Sequence, residues 1–412
     1  MGLTKITMFV LAAALLIGYL IYNLGIFSDK TADYPELIEF KSKQLASFAE
    51  LSDYFKKLAG KSGAPYAFEV LKRAPIPPGT DMHLLGHVVG DILYEQEGIE
   101  GIRVCTEDFR NACSHSIVVG LFTDKGESAL PQITDACRKA PGRSGAYTMC
   151  FHGLGHGILA ALGYDLIKTI EVCKKTGGSE TNQGEYSQCV SGAVMEIIGG
   201  GFHDRHIWEK QRPKYLSLKD PLRLCAADFM PAEVKPLCYV YLTPLIFEAA
   251  GADLGRPTPA DFEKAFPFCD KIPASEFINR DACFGGFGKE FIVLAQDRDI
   301  RKIDQMNEEQ LKKVYEWCLL TKNKEGSAAC VTHAVQSLYW GGENDRNAAI
   351  KFCGLIPEDY FQGSCFINLI GAVHYYIKDQ EYITEFCGEL PPQFEGQCRH
   401  WKGQPNENKD HQ

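Results

Sequence analysis

The sequence predicts an all-α protein in which tandem disulfide-stapled helical hairpins form an α-solenoid or an α/α toroid, preceded by one transmembrane helix. Three observations support this prediction. The sixteen cysteines fall into eight short-range pairs, and none is left over. Apolar residues recur at helical spacing around these pairs. A long, uncharged apolar segment lies near the amino terminus.

Residues 6–27 form the apolar segment and are numerous enough to cross a membrane as a helix. The 22 residues carry no charge, and about 20 apolar residues span a hydrocarbon core. A cleaved signal peptide is the alternative, but the segment is long for one, and no small-x-small cleavage site follows it. Lys5 precedes the segment and acidic residues follow it. The positive-inside rule then predicts an uncleaved signal anchor in the cell membrane, with the bulk of the chain extracytoplasmic, that is periplasmic or extracellular.

Composition and charge restrict the class of protein. With 45% hydrophobic and 23% charged residues, the composition is that of an ordinary globular protein. The net charge of −10, from 53 acidic and 43 basic side chains without a run of Lys or Arg, would repel a phosphate backbone, so we predict no nucleic-acid partner. The predicted parts are a cytoplasmic stub with the transmembrane signal anchor (1–30), an N-terminal helix or linker (31–62), a helical-repeat ectodomain (63–402) and a disordered tail (403–412).

The cysteine spacing indicates one disulfide in each repeat. Within a pair the cysteines are 8 to 16 residues apart, and the first cysteines recur every 32 to 52 residues, the period of helical-hairpin arrays. The chain has no Cys-x-x-Cys, which a zinc knuckle or a thioredoxin-like site would need. Disulfides persist in oxidising compartments, and the predicted signal anchor would place the cysteine-bearing part of the chain in such a compartment. The predicted pairs are 105/113, 137/150, 173/189, 225/238, 269/283, 318/330, 353/365 and 387/398.

The residues around each pair indicate two helices. Asn307 and Gln310 form a capping-box pattern, and an apolar stripe at i, i+3, i+4 and i+7 then runs from Leu311 to Cys318. Another apolar stretch follows each second cysteine, as after Cys365. Each unit is therefore predicted as helix A, a cysteine, a loop that often carries proline, the second cysteine, and helix B. The B helices are rich in glycine, which indicates either close helix packing or access for a ligand.

Counting from the second cysteine of each pair aligns several histidines. His152-Gly-Leu-Gly-His156 follows one such cysteine, and His83-Leu-Leu-Gly-His87 repeats the pattern in a unit without cysteines. His115 occupies the register of His152, as does His400 in the last unit. B helices stacked side by side would bring the first three of these units together, since residues i and i+4 share one helix face.

This arrangement predicts a metal site. We expect His83, His87, His152 and His156 to bind a divalent transition metal such as Zn or Fe, because neutral imidazole is a ligand for these ions. Asp91 and Glu196 are carboxylates in a suitable register to complete the site. The alternative is that the histidines are structural and were duplicated with the repeat, since His-x-x-x-His without the glutamate of a His-Glu-x-x-His motif is a weak signal.

Four further residues are candidates for catalysis. His115 is predicted as a fifth ligand or a general base, and Glu196, Lys289 and Glu290 occupy the same face of the B helices. Lys289 and Glu290 would orient the substrate. If the array curves, these groups converge on one cavity; if it does not, they are merely the solvated face of an open solenoid.

Two functions follow from these observations. The first is an extracytoplasmic metal-dependent enzyme, a hydrolase or an oxygen-handling enzyme, with an unknown reaction. The second is a tethered scaffold without catalytic activity, whose concave face binds a protein or peptide. In both, the membrane is a partner through the N-terminal helix. No serine-hydrolase elbow, phosphate-binding loop or dinucleotide fingerprint occurs in the sequence.

Overall fold

The computed structural model places most of the predicted ectodomain. The predicted transmembrane segment 6–27 and the tail 403–412 lie outside the described residues. Among the helices that the structure does describe, none is both long and apolar enough to cross a bilayer. The described residues are 34–43, 45, 47–141, 144–176, 184–200, 204–339, 346–357, 359–377 and 379–402.

The described residues form α-helices and short 3₁₀ helices, with no strand among them, which confirms the all-α prediction. Four 3₁₀ helices cover Gly98–Val104, Gly126–Ala129, Ala274–Glu276 and Ile300–Gln305. The α-helices are α1 (Glu36–Lys43), α2 (Phe48–Ser62), α3 (Ala64–Arg73), α4 (Met82–Glu97), α5 (Asp108–Lys125), α6 (Leu130–Lys139), α7 (Ser144–Ala161), α8 (Leu166–Cys173), α9 (Glu185–Gly199), α10 (Arg205–Tyr215), α11 (Arg223–Ala226), α12 (Lys235–Tyr241), α13 (Thr243–Ala249), α14 (Pro259–Ala265), α15 (Pro267–Asp270), α16 (Phe277–Leu294), α17 (Glu308–Leu319), α18 (Lys324–Leu338), α19 (Arg346–Leu355), α20 (Asp359–Tyr376), α21 (Gln380–Glu389) and α22 (Pro392–Arg399).

Local sequence signals set several helix starts. Asn307 and Gln310 form the capping box expected at the start of α17, with the Asn307 side chain accepting from the Gln310 amide. Ser47 and Glu50 form another at the start of α2. The Asp81 side chain accepts from the Leu84 amide and caps α4, the helix that carries two of the predicted metal ligands.

All eight predicted cysteine pairs are disulfide-bonded, and none of the sixteen cysteines is free. In most hairpins the first cysteine lies near the end of helix A and the second within helix B. The first hairpin differs, because a 3₁₀ helix, Gly98–Val104, takes the place of helix A before Cys105. Eight disulfides indicate an extracytoplasmic or secreted protein.

The B helices pack side by side in chain order. They are α4, α5, α7, α9, α12, α16, α18, α20 and α22, and each contacts the next. The buried apolar residues form one continuous core from Leu37 to Cys398. Helix α2 belongs to this core through Phe55, which is fully buried, and it packs against α3 and α4.

Glycines let neighbouring B helices approach closely. A Cβ at Gly155 would overlap the carbonyl oxygen of Cys189, and a Cβ at Gly192 would overlap that of His152. A Cβ at Gly153 would lie 2.5 Å from the His115 ring and 2.7 Å from its Cα. These glycines therefore serve close helix packing, one of the two interpretations that the sequence left open.

Residues far apart in the chain meet near the first helices. Arg301, in the 3₁₀ helix after α16, donates from Nη1 to the carbonyl oxygens of Leu71 (2.9 Å) and Ala74 (2.8 Å). Arg110 at the start of α5 donates from Nη2 to the Ser337 hydroxyl near the end of α18, at 3.3 Å. The array therefore curves, and its later helices return towards α3, α4 and α5.

Candidate metal centre

Five histidines from three consecutive B helices form one cluster, which we call the histidine cluster. His83 and His87 lie one turn apart on α4, His152 and His156 one turn apart on α7, and His115 lies on α5 between them. The His115 ring centroid is 5.5 and 5.7 Å from those of His83 and His87. It is 5.8 and 6.2 Å from those of His152 and His156. The structure thus brings together every histidine predicted for the site.

The first histidine pair directs two nitrogen lone pairs at each other. Nδ1 of His83 donates to the Phe109 carbonyl at 2.6 Å, since a carbonyl can only accept. The Ser116 hydroxyl donates to the His87 carbonyl and accepts from His87 Nδ1 at 3.1 Å. Each Nε2 is therefore the unprotonated nitrogen of a neutral ring, yet the two Nε2 atoms lie 3.2 Å apart. A cation between them would make this arrangement favourable.

The second pair is held in the same way. Nδ1 of His152 donates at 2.9 Å to the Ser191 hydroxyl, which itself donates to the Gln188 carbonyl at 2.8 Å. Nδ1 of His156 donates to Oε2 of Glu196 at 3.0 Å. In both rings Nε2 is left to act as the acceptor, and Nε2 of His156 is buried without a hydrogen-bond partner. Four rings of the cluster therefore present Nε2 after Nδ1 has bonded outwards.

Glu196 lies behind His156 and is fully enclosed. Its side chain is 0% exposed, and its second oxygen, Oε1, accepts from the Tyr164 hydroxyl at 2.8 Å. Burial, and then the neighbouring Glu196 charge, raise the pKa of Tyr164, so the hydroxyl remains a donor. This carboxylate fixes the orientation of His156, as carboxylates commonly do behind metal-binding histidines.

His115 stands in the middle of the cluster with neither ring nitrogen satisfied. It is 1% exposed, and both Nδ1 and Nε2 are buried without a hydrogen-bond partner. Burial, followed by the charges of the surrounding histidines, lowers the pKa of His115 well below its usual value. Burial likewise lowers the pKa of His83 and of His152. Each of these shifts favours the neutral ring, which is the form that binds metals.

The backbone that supports His83 is strained. Phe109, Arg110 and Asn111 all have left-handed φ angles, 56°, 54° and 62°. Each such angle in a non-glycine residue costs about 1–3 kcal/mol and persists only where its surroundings fix it. The Cys105–Cys113 disulfide spans this segment. The strained turn places the Phe109 carbonyl against His83 and Arg110 at the edge of the adjoining cavity.

A cavity of about 150 Å³ opens beside the cluster. Lys289 lies above the Tyr241 ring, 4.8 Å from its centroid, and the same ring is 5.2 Å from that of His152. Burial lowers the pKa of Lys289 to about 8, with the Arg110 charge acting in the same direction and Glu290 opposing it. Glu290 forms an ion pair with Arg298 at 3.4 Å. The cavity-lining residues include His83, Arg110, His115, His152, Tyr241, Lys289 and Glu290.

The donor set fits a transition metal. Two imidazole nitrogens bound to one tetrahedral ion at about 2.0–2.1 Å lie about 3.3 Å apart, close to the 3.2 Å between His83 and His87. One nitrogen from each of His83, His87 and His115 lies within 4.8 Å of the others. Sequence reasoning placed His115 outside the four principal ligands, whereas the geometry groups it with the first pair.

Other groups that resemble metal ligands lie elsewhere. His374 lies near Cys387 and Cys398, but these sulfurs are bonded to each other and offer no thiolate. His400, which shares the cysteine register, is exposed and its Nδ1 bonds to the Gly396 carbonyl in its own helix. Asp91 is exposed.

Sequence reasoning missed the groups that orient the histidines. Ser191 is two residues after Cys189, the register of His152, and Ser116 is three after Cys113, so the same count could have found both hydroxyls. The position of the Phe109 carbonyl depends on a left-handed turn, which the residue types in the segment do not predict. No family model matches the chain, and neither a curated protein nor a solved structure matches it.

Proposed function

We propose that this protein is an extracytoplasmic, membrane-anchored, metal-dependent enzyme whose histidine cluster holds a divalent transition metal. The observation that carries the proposal is the pair of facing Nε2 atoms of His83 and His87, 3.2 Å apart. Both rings donate outwards through Nδ1, which is the usual orientation of histidines bound to a metal. Three or more neutral imidazoles without cysteine ligands suit Zn or Fe.

The adjoining cavity supports an enzymatic role. A bound ion would supply Lewis-acid chemistry or activate a water molecule beside the cavity. Lys289 lies over the Tyr241 ring at the edge of this cavity, and no ion pair joins it to another described residue. Lys289 is therefore suited to bind an anionic group of the substrate, while Glu290, held by Arg298, lies beside it. Glu196 acts through His156 and is a positioning residue.

Elemental analysis tests the metal proposal. The detergent-solubilised full-length protein, purified without a histidine tag, should contain stoichiometric Zn or Fe, and the His83→Ala/His87→Ala variant should lose it. His400→Ala is the matched control, because this histidine is exposed and bonds to a carbonyl within its own helix. Metal-free protein that folds normally would contradict the proposal and favour the tethered scaffold that binds a protein or peptide on its concave face.

We further propose that residues 6–27 anchor the protein to the membrane and that the repeat array is the closed form, an α/α toroid. The uncharged 22-residue segment supports the anchor, and the contacts of Arg301 with the first helices support closure. The protein should remain in the membrane pellet after carbonate extraction, and release would contradict the anchor. Contrast-matched scattering should give a radius of gyration of about 22 Å, and a much larger value would indicate an open solenoid.

A further inference from the structure

His115 has two buried nitrogens and no hydrogen-bond partner for either. A neutral imidazole carries one N–H, so a single ion bound to His115 would leave that N–H buried and unsatisfied. Buried polar groups in native proteins are almost always satisfied. A ring with both nitrogens unpartnered therefore fits a ligand that binds on both sides.

The position of His115 matches this requirement. His83 and His87 lie on one side, with ring centroids 5.5 and 5.7 Å away. His152 and His156 lie on the other, at 5.8 and 6.2 Å. Each flanking pair spans one turn of a single helix, and within each pair the centroids are 4.7 and 5.0 Å apart.

We infer that His115 bridges two metal ions, one held with His83 and His87 and the other with His152 and His156. The inference rests on the proposed function and specifies how many ions the same cluster binds. Each ion has three imidazole ligands, which leaves a fourth position for water or substrate, as in catalytic zinc sites. When the second ion binds, it replaces the remaining N–H proton of His115, and this proton leaves to solvent.

The two proposed ion sites differ in how close their histidines lie to His115. The nitrogens of His83, His87 and His115 already lie within 4.8 Å of one another. The second pair is farther from His115, so its rings must move inwards to share an ion. The negative charge of Glu196 behind His156, and that of the bridging imidazolate, offset the charge of two buried cations. We therefore expect the ion between His83, His87 and His115 to bind more tightly.

Zinc titration of the metal-free, detergent-solubilised full-length protein tests the bridge. We expect two ions per chain with distinct affinities. His83→Ala should abolish the tighter site and His152→Ala the weaker one, while His115→Ala should lower both affinities at least tenfold. His400→Ala should bind both ions as the wild type does. Circular dichroism of each variant separates loss of ligands from loss of fold.

A second measurement needs no variant. Two Cu²⁺ ions joined by an imidazolate are magnetically coupled, so the electron paramagnetic resonance intensity of the loaded wild-type protein should fall well below that of two independent ions. Binding of no ion would overturn the proposed function itself. Binding of a single ion would overturn the bridge and leave that function standing. Two uncoupled ions, with affinities unchanged in His115→Ala, would also overturn the bridge.

Discussion

Nδ1 of His156 donates to Oε2 of Glu196 across 3.0 Å, and the carboxylate that receives this bond is completely buried. Its other oxygen accepts from the Tyr164 hydroxyl, whose pKa is raised by burial. An isolated buried carboxylate is costly unless it is hydrogen-bonded and its charge offset. A cation bound by His156 would provide that offset across the imidazole ring, so this pair links the stability of the site to its occupancy.

Glu196→Gln should weaken metal binding about 10–100-fold, the usual effect of altering a group behind a metal ligand. The amide keeps one acceptor for His156 but removes the negative charge that favours the bound cation. Chelator competition with Zn²⁺ measures the change, and Glu309→Gln, which replaces an exposed glutamate, serves as the control. An affinity equal to that of the wild-type protein would show that Glu196 is only a structural partner of His156.

Gly153→Ala should both destabilise the protein and displace His115. The added Cβ would lie 2.7 Å from the Cα of His115, so α5 and α7 must separate. Overpacking of this kind costs about 1–3 kcal/mol. Gly60→Ala is the matched control: Gly60 is inside α2 with nothing within 4 Å of an added Cβ, and alanine there should stabilise by up to about 1 kcal/mol.

Thermal unfolding and Zn²⁺ affinity measure both glycine variants. Gly153→Ala should lower both quantities, whereas Gly60→Ala should leave Zn²⁺ affinity unchanged. If Gly153→Ala destabilises the fold but keeps full affinity for zinc, His115 is not a ligand whose position matters.

Acid should weaken the contact between the later helices and the first ones. Asp299 receives two bonds from the Arg301 side chain, both of 2.8 Å, and so aligns this arginine with the Leu71 and Ala74 carbonyls. Burial raises the pKa of Asp299, but the hydrogen bonds and charges of Arg301 and Lys302 outweigh burial and leave it below its usual value. A lowered carboxyl pKa stabilises the fold above the unfolded-state value, about 3.9, and this stabilisation is lost as the pH falls through the folded-state value.

Asp299→Asn should therefore be less stable than the wild type at pH 7, and the difference should shrink below about pH 4. Thermal unfolding at a series of pH values measures it. Glu171→Gln, which removes an exposed ion pair with Lys174, should show little effect at any pH. A stability difference that does not change with pH would mean that Asp299 acts by packing and not by charge.

Much of the fold could be predicted because its signals are local. A disulfide over 8 to 16 residues and a helix with a capping box depend on neighbouring residues alone. The histidine cluster could also be predicted, because the cysteines give a common register to adjacent helices. Glu196 lies near His156 for the same reason, because α7 and α9 are consecutive B helices.

The cavity depends on contacts between residues that are far apart in the chain, and a local sequence pattern does not predict such contacts. Lys289 reaches the cluster through Tyr241, which stacks near His152, and this requires α12 to lie between α9 and α16. The return of Arg301 to Leu71 likewise depends on the summed curvature of many hairpins. The total curvature of the array cannot be predicted from repeats of unequal length, here 32 to 52 residues.

Removal of the Cys105–Cys113 disulfide should weaken metal binding as well as the fold. This bond closes an eight-residue separation around the left-handed turn whose Phe109 carbonyl holds His83. Loop entropy alone predicts a loss of about 2.5 kcal/mol. Without the cross-link, the strained turn should relax and release His83, so Zn²⁺ affinity should fall at least tenfold.

The Cys387–Cys398 disulfide provides a matched control, because it closes a similar separation of 11 residues in the last hairpin, on helices that carry no member of the cluster. Replacing both of its cysteines by alanine should cost nearly the same stability, about 2.8 kcal/mol, and leave Zn²⁺ affinity unchanged. Equal loss of affinity in both double variants would show that the disulfides support the site only through global stability. A loss confined to the first variant would show that the Phe109 turn, held under strain by its cross-link, orients the metal ligand.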